Sequence, residues 1–138
     1  MRVVLSLMLA TGLLSTPVTA QDRGQFEPPP DHWLTLDSLI DLVQITADQR
    51  DTVAAHYHEI NALLKQAAEK RKEMMSSVSG GQRDPAMRQR FMEMRERMVG
   101  MQEEVDRHYA AIRSLLTEEQ WARFDELAKP VVIRRRRM

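Results

Sequence analysis

The sequence predicts an all-α protein: a long antiparallel helical hairpin flanked by two short helices. Three observations carry the prediction. No Gly or Pro interrupts residues 47–78. Apolar side chains from Met87 to Leu115 recur at alternating spacings of four and three, the period of a buried helical seam. Between these stretches lies one short turn, Ser79-Gly80-Gly81-Gln82-Arg83, which suits two adjacent antiparallel helices. The composition agrees: ten Met and only seven aromatics in 138 residues suggest a helical chain with a thin, soft core.

Residues 1–20 read as a secretory signal peptide. Arg2 supplies the positive start, Val3 to Leu14 is an uncharged apolar run, and Thr16-Pro17-Val18-Thr19-Ala20 presents a breaker and a cleavage site after Ala20. The run is too short for a spanning helix, which needs about 20 apolar residues. The expected location is therefore the periplasm, after cleavage near Ala20. Residues 21–31, with Pro28-Pro29-Pro30, are expected to form a disordered arm. The helical domain is expected over residues 32–129 and a basic tail over 130–138.

The first short helix is predicted over Trp33 to Val43, with Asp37 and Asp41 on its polar side. Ile45-Thr46-Ala47-Asp48-Gln49 follows as a capping box, in which Thr46 and Gln49 satisfy each other's backbone N–H groups. Asp48 and Asp51 suit the positive end of the helix dipole. The long helix that begins here carries Val53, Tyr57, Ile60, Leu64, Ala67, Met74 and Val78 on one stripe. After the turn, Asp84-Pro85 supplies an N-cap and a Pro at the first helical position. The second long helix places Met87, Phe91, Met94, Met98, Met101, Val105, His108, Ile112 and Leu115 on the seam. A second capping box, Leu116-Thr117-Glu118-Glu119-Gln120, opens a last helix that runs to about Ala128 and stops at Pro130. One hairpin buries one stripe per helix, a poor core for a chain of this size; a homodimer that pairs the leftover apolar surface is the simplest repair.

Several function classes fall away. The absence of Cys excludes disulfides, a thiol nucleophile, thiolate zinc sites and a lipoprotein anchor. Removing residues 1–20 takes Arg2 and no acid, which leaves a net charge of −1; residues 21–130 hold 15 basic and 20 acidic residues, and Arg134 to Arg137 balance most of the difference. A mildly acidic body with a short basic tail is not the footprint of a nucleic-acid binder. Gly80-Gly81 lacks the Lys-Ser/Thr of a phosphate loop, and the carboxylates are spread along solvated faces, so no enzyme active site is expected. The Arg tail reads as a solubilising segment, with contact to anionic lipid as the alternative.

The two boxes, Ile45-Thr46-Ala47-Asp48-Gln49 and Leu116-Thr117-Glu118-Glu119-Gln120, resemble the paired LTxxQ motifs of the Spy/CpxP family of periplasmic proteins, with Ile45 in place of the first Leu. The order of leader, short helix, motif, hairpin, motif and short helix is similar too. The resemblance implies a cradle-shaped homodimer, made under envelope stress, that binds unfolded proteins without ATP. It also implies two alternatives within the superfamily: metal handling of the kind seen in the zinc-resistance protein ZraP, and regulation through contact with a sensor kinase.

Thr46, Gln49, Thr117 and Gln120 are expected to act as structural caps that do not meet a client. The Met stripe reads first as core packing, then as an adaptable client surface; soft-metal binding ranks last, because Met-only sites on a helix seam lack His or Cys support. One position along lies a mixed face of Arg88, Met92, Arg95, Val99, Gln102, Asp106, Tyr109 and Arg113. From it, Arg88, Met92, Arg95, Val99, Tyr109 and Arg113 are the expected client-binding residues, guanidinium groups meeting acids and aromatics while apolar groups cover apolar ones. No cofactor is expected. Zinc is the alternative, through His32, His56, His58 and His108. The spacing argues against it, since His56 and His58 are two apart and face different ways and His108 lies on the seam as a half-buried core residue; a site assembled across chains with His32 stays open.

Overall fold

A computed structural model describes residues 28–78 and 84–133 of the 138-residue chain. The expected signal peptide, most of the expected Pro-rich arm, residues 79–83 of the expected turn and residues 134–138 of the expected basic tail lie outside the described residues. Among the described residues four helices follow in order: α1 (Leu36–Val43), α2 (Ala47–Ser77), α3 (Pro85–Ser114) and α4 (Glu118–Asp125). The fold is all-α, and among the described residues no helix is long and apolar enough to cross a membrane.

Each helix starts where a short polar side chain can cap it. Thr35 Oγ1 accepts the Ser38 N–H at 3.2 Å. Asp84 accepts the Ala86 N–H at 3.0 Å ahead of Pro85. In both LTxxQ-type boxes the Gln oxygen takes the Thr N–H, at 3.0 Å for Gln49 and 2.9 Å for Gln120. α1 begins three residues later than the pattern predicts, because Trp33 is committed elsewhere. Its backbone N–H is donated to Asn61 Oδ1 and its indole N–H to the Ala128 carbonyl, both at 2.8 Å. α1 ends on Gln44 in the left-handed conformation (φ 60°), the only non-Gly positive φ among the described residues. α4 ends at Asp125, three residues earlier than expected.

α2 and α3 form the antiparallel hairpin, and α1 and α4 pack together over its open end. The core sits there. Leu39 and Val43 of α1, Val53, Ile60, Leu64 and Ala67 of α2, Val105 and Ile112 of α3, and Phe124 of α4 are fully or almost fully buried. An aromatic knot joins the layers: Trp33 lies 6.3 Å from Tyr57, 5.8 Å from Tyr109 and 6.2 Å from Phe124, and Tyr109 stacks on Phe124 at 4.5 Å. Such pairs add to the burial of large apolar area.

The seam of α3 is corrected at its ends. Met87, Met98, Val105 and Ile112 are buried as expected, but Phe91 and Leu115 are exposed. A straight helix drifts against a strict seven-residue repeat. At the open end, α4 and Trp33 draw Tyr109 inward. At the turn end, no short helix covers Phe91.

The expected disordered arm and basic tail are held at their described residues. Pro29 and Val132 are buried. Arg71 of α2 donates from Nη2 to the Pro29 carbonyl (3.2 Å) and from Nη1 to the Val132 carbonyl (2.9 Å). Gln102 of α3 accepts the Val132 N–H at 2.6 Å and donates to the Pro130 carbonyl at 3.4 Å. An apolar Val beside satisfied backbone groups makes residues 130–133 a strap rather than a loose end.

Candidate functional site

The two capping boxes, 71 residues apart, meet. Gln49 Nε2 donates to Gln120 Oε1 at 3.0 Å, and Gln120 Nε2 donates to Gln49 Oε1 at 2.9 Å. The second N–H of each amide reaches the carbonyl that ends the helix before the other box: Gln49 to Leu115, after α3, and Gln120 to Gln44, after α1, both at 2.8 Å. Each amide therefore uses two donors and accepts twice, at a site where Gln120 is buried. A fully satisfied buried network of this kind fixes geometry. It locks α1 and α4 over the open end of the hairpin and leaves the other end free.

That free end holds the candidate binding surface. Between Ala67 and Met98, Met87 alone among the described residues is buried. Met75 is 75% exposed, Met92 67% and Phe91 42%. On one side, Pro28, Pro30, Met74, Met75, Phe91 and Met94 line an open, largely apolar groove of about 760 Å³. On the other, Met74, Met94, Met98 and Met101 line a second cavity of about 330 Å³, rimmed by Lys70, Glu73, Arg90, Glu93 and Arg97. Contiguous exposed apolar surface edged with charge is the usual mark of an interaction site, and Met side chains repack readily against varied partners.

The six residues expected to bind clients divide. Arg88, Met92, Arg95 and Val99 are exposed on α3, in or next to this turn-end surface. Tyr109 is not available: it is buried in the aromatic knot, and burial, with Asp125 nearby, pushes its phenol above its ordinary value. Its hydroxyl has no partner among the described residues. Arg113 is engaged already. Its guanidinium grips Asp125 with two bonds of 2.9 Å and lies 4.7 Å from the centre of the Trp121 ring. The hydrogen bond from Arg113 is the main reason the Asp125 carboxyl sits below its usual range. Gln102, from the same stripe, holds the C-terminal strap. Phe91, assigned to the seam, belongs instead to the exposed surface; its sequence signal was its distance from either short helix.

The four His are placed apart, with one exception. His32 is exposed against Asp31 (2.7 Å), and His58 is exposed with its ring edge-on to Tyr57. His56 and His108 meet across the hairpin, with Nδ1 atoms 2.9 Å apart, a contact in which the ring tautomers decide which nitrogen donates. The signal for this pairing was present in the sequence, since both residues stand at similar distances from the Gly80-Gly81 turn. Two nitrogens are half of a closed zinc site, and among the described residues no three His, Asp or Glu side chains gather where a metal could be held. Among the described residues of one chain, these two nitrogens do not complete a zinc site.

Comparison with curated proteins and with solved structures returned no match. A family model described as LTXXQ motif family protein matches residues 35–128, a stretch that contains both glutamine boxes and all four helices, and the chain belongs to that family.

Proposed function

We propose that this chain is an exported, ATP-independent chaperone that holds non-native proteins and limits their aggregation. One observation carries the reading: the turn-end half of a well-locked hairpin leaves Met75, Phe91 and Met92 in solvent beside Arg88, Arg90 and Arg95. Met and Phe meet exposed apolar segments of varied shape, and the guanidinium groups attract acids and stack on aromatics. Weak, adaptable contacts of this kind suit many clients. Export rests on the leader pattern of residues 1–20. Pairing with a second copy would cover part of the same surface and shape a cradle.

Light scattering from a chemically denatured client tests the reading. The full mature chain at a few-fold molar excess, in low salt, suppresses the signal, and Phe91→Ala/Met92→Ala loses most of that effect while its thermal melt stays within a few degrees. No suppression by the parent chain sinks the chaperone reading; full suppression by the variant moves the site elsewhere. The metal-handling alternative draws on the His56–His108 contact alone. It would need further ligands from a second copy, so zinc-dependent dimerisation, abolished in His56→Ala, is its signature.

A further inference from the structure

Four of the chain's ten methionines surround one cavity. Met94, Met98 and Met101 of α3 are spaced i, i+4, i+7 and so share a face of that helix. Met74 reaches the same space from α2. Sequence spacing supplies only the first three; the hairpin supplies the fourth, so that all four residues line one pocket of about 330 Å³. Flexible Met chains ordinarily fill such gaps, and close packing is the rule for helix interfaces.

The surrounding charges decide what the pocket can take. Lys70, Arg90 and Arg97 stand against Glu73 and Glu93 on its rim, with Lys70 and Glu73 paired at 3.2 Å. The rim carries one excess positive charge, which repels any cation, and a hard divalent cation depends on oxygen ligands and their negative charge to offset such repulsion. Neutral sulfur is different. Thioethers are soft ligands that select Cu(I), and they carry no proton that a metal must displace, unlike imidazole, thiol or carboxyl groups.

We propose that Met74, Met94, Met98 and Met101 form a binding site for one soft monovalent cation, Cu(I) or Ag(I). The site needs neither client binding nor a second copy, so it stands or falls apart from the chaperone reading.

The mature chain, labelled with ¹³C at the Met ε-methyls, is titrated with Ag(I) in chloride-free buffer, and anaerobically with Cu(I) against a chromogenic chelator. One equivalent binds per chain, the methyl signals of the four cavity methionines shift together, and those of Met75 and Met92 stay in place. Met94→Leu/Met98→Leu, close to volume-conserving, lowers affinity at least tenfold with the helical circular dichroism retained. Met75→Leu/Met92→Leu leaves it unchanged. Zn(II) moves none of these signals. The proposal is overturned by the absence of saturable uptake, by shifts spread evenly over all methionines, by a Zn(II) response at the cavity, or by uptake that survives Met94→Leu/Met98→Leu and disappears in His56→Ala/His108→Ala.

Discussion

Gln49 and Gln120 do more than cap their own helices. Loss of a single cap of this kind costs about 1 kcal/mol. Removing either Gln also strands the other amide in a part-buried contact, and unsatisfied buried groups cost about 1–3 kcal/mol; the Leu115 and Gln44 carbonyls belong to exposed residues and turn to water. Gln49→Ala and Gln120→Ala are therefore each expected to cost about 2 kcal/mol. The double variant should cost less than the two combined, by about 1 kcal/mol. Urea unfolding of the four proteins checks this, and additive losses would show that the boxes act separately. The capping role was legible in the sequence because a box is local, three residues closing on themselves. The pairing was not, since it depends on how four helices bring residues 71 positions apart together. Tyr109 misled for a related reason: its place beside the seam is common to buried and exposed residues, and only Trp33 and Phe124 decide between them.

Element boundaries followed the cap chemistry closely, and they failed where a long-range bond intervened. α2 and α3 start where their boxes and Pro85 place them. α1 does not, because Asn61 and Ala128 hold Trp33 out of the helix. Between α3 and α4 the fastening is ionic. Arg113 lowers the Asp125 carboxyl from its ordinary value of 3.8, so the folded state binds that proton less readily than the unfolded chain. The resulting stabilisation is complete above the ordinary carboxylate range and is lost as pH falls through the lowered value. Both side chains are largely solvated, which keeps the effect small and salt-sensitive. In thermal melts followed from pH 6 to pH 2, Asp125→Asn should lose less stability than the parent chain. An identical acid dependence in both proteins would remove the pair from the account.

The whole molecule is unevenly built. The open end holds the aromatic knot, the glutamine pair and nearly all of the buried apolar side chains. The turn end is two helices with a thin line of methionine between them. Local opening follows local burial, so amide exchange should be slowest around Ile60, Val105 and Ile112 and faster by orders of magnitude around residues 70–77 and 86–94. Uniform protection along both long helices would contradict this division. The hairpin and its flanking helices were legible from periodicity and turn chemistry. Which half lacked a cover was not, because a seam of Met, Phe and Val looks the same whether or not something lies on it. Arg71 adds one last consequence. A single guanidinium touches backbone near both ends of the described residues, at Pro29 and Val132, so these residues enter and leave the folded body at one doorway, and Pro28 and Pro30 of that doorway also line the apolar groove.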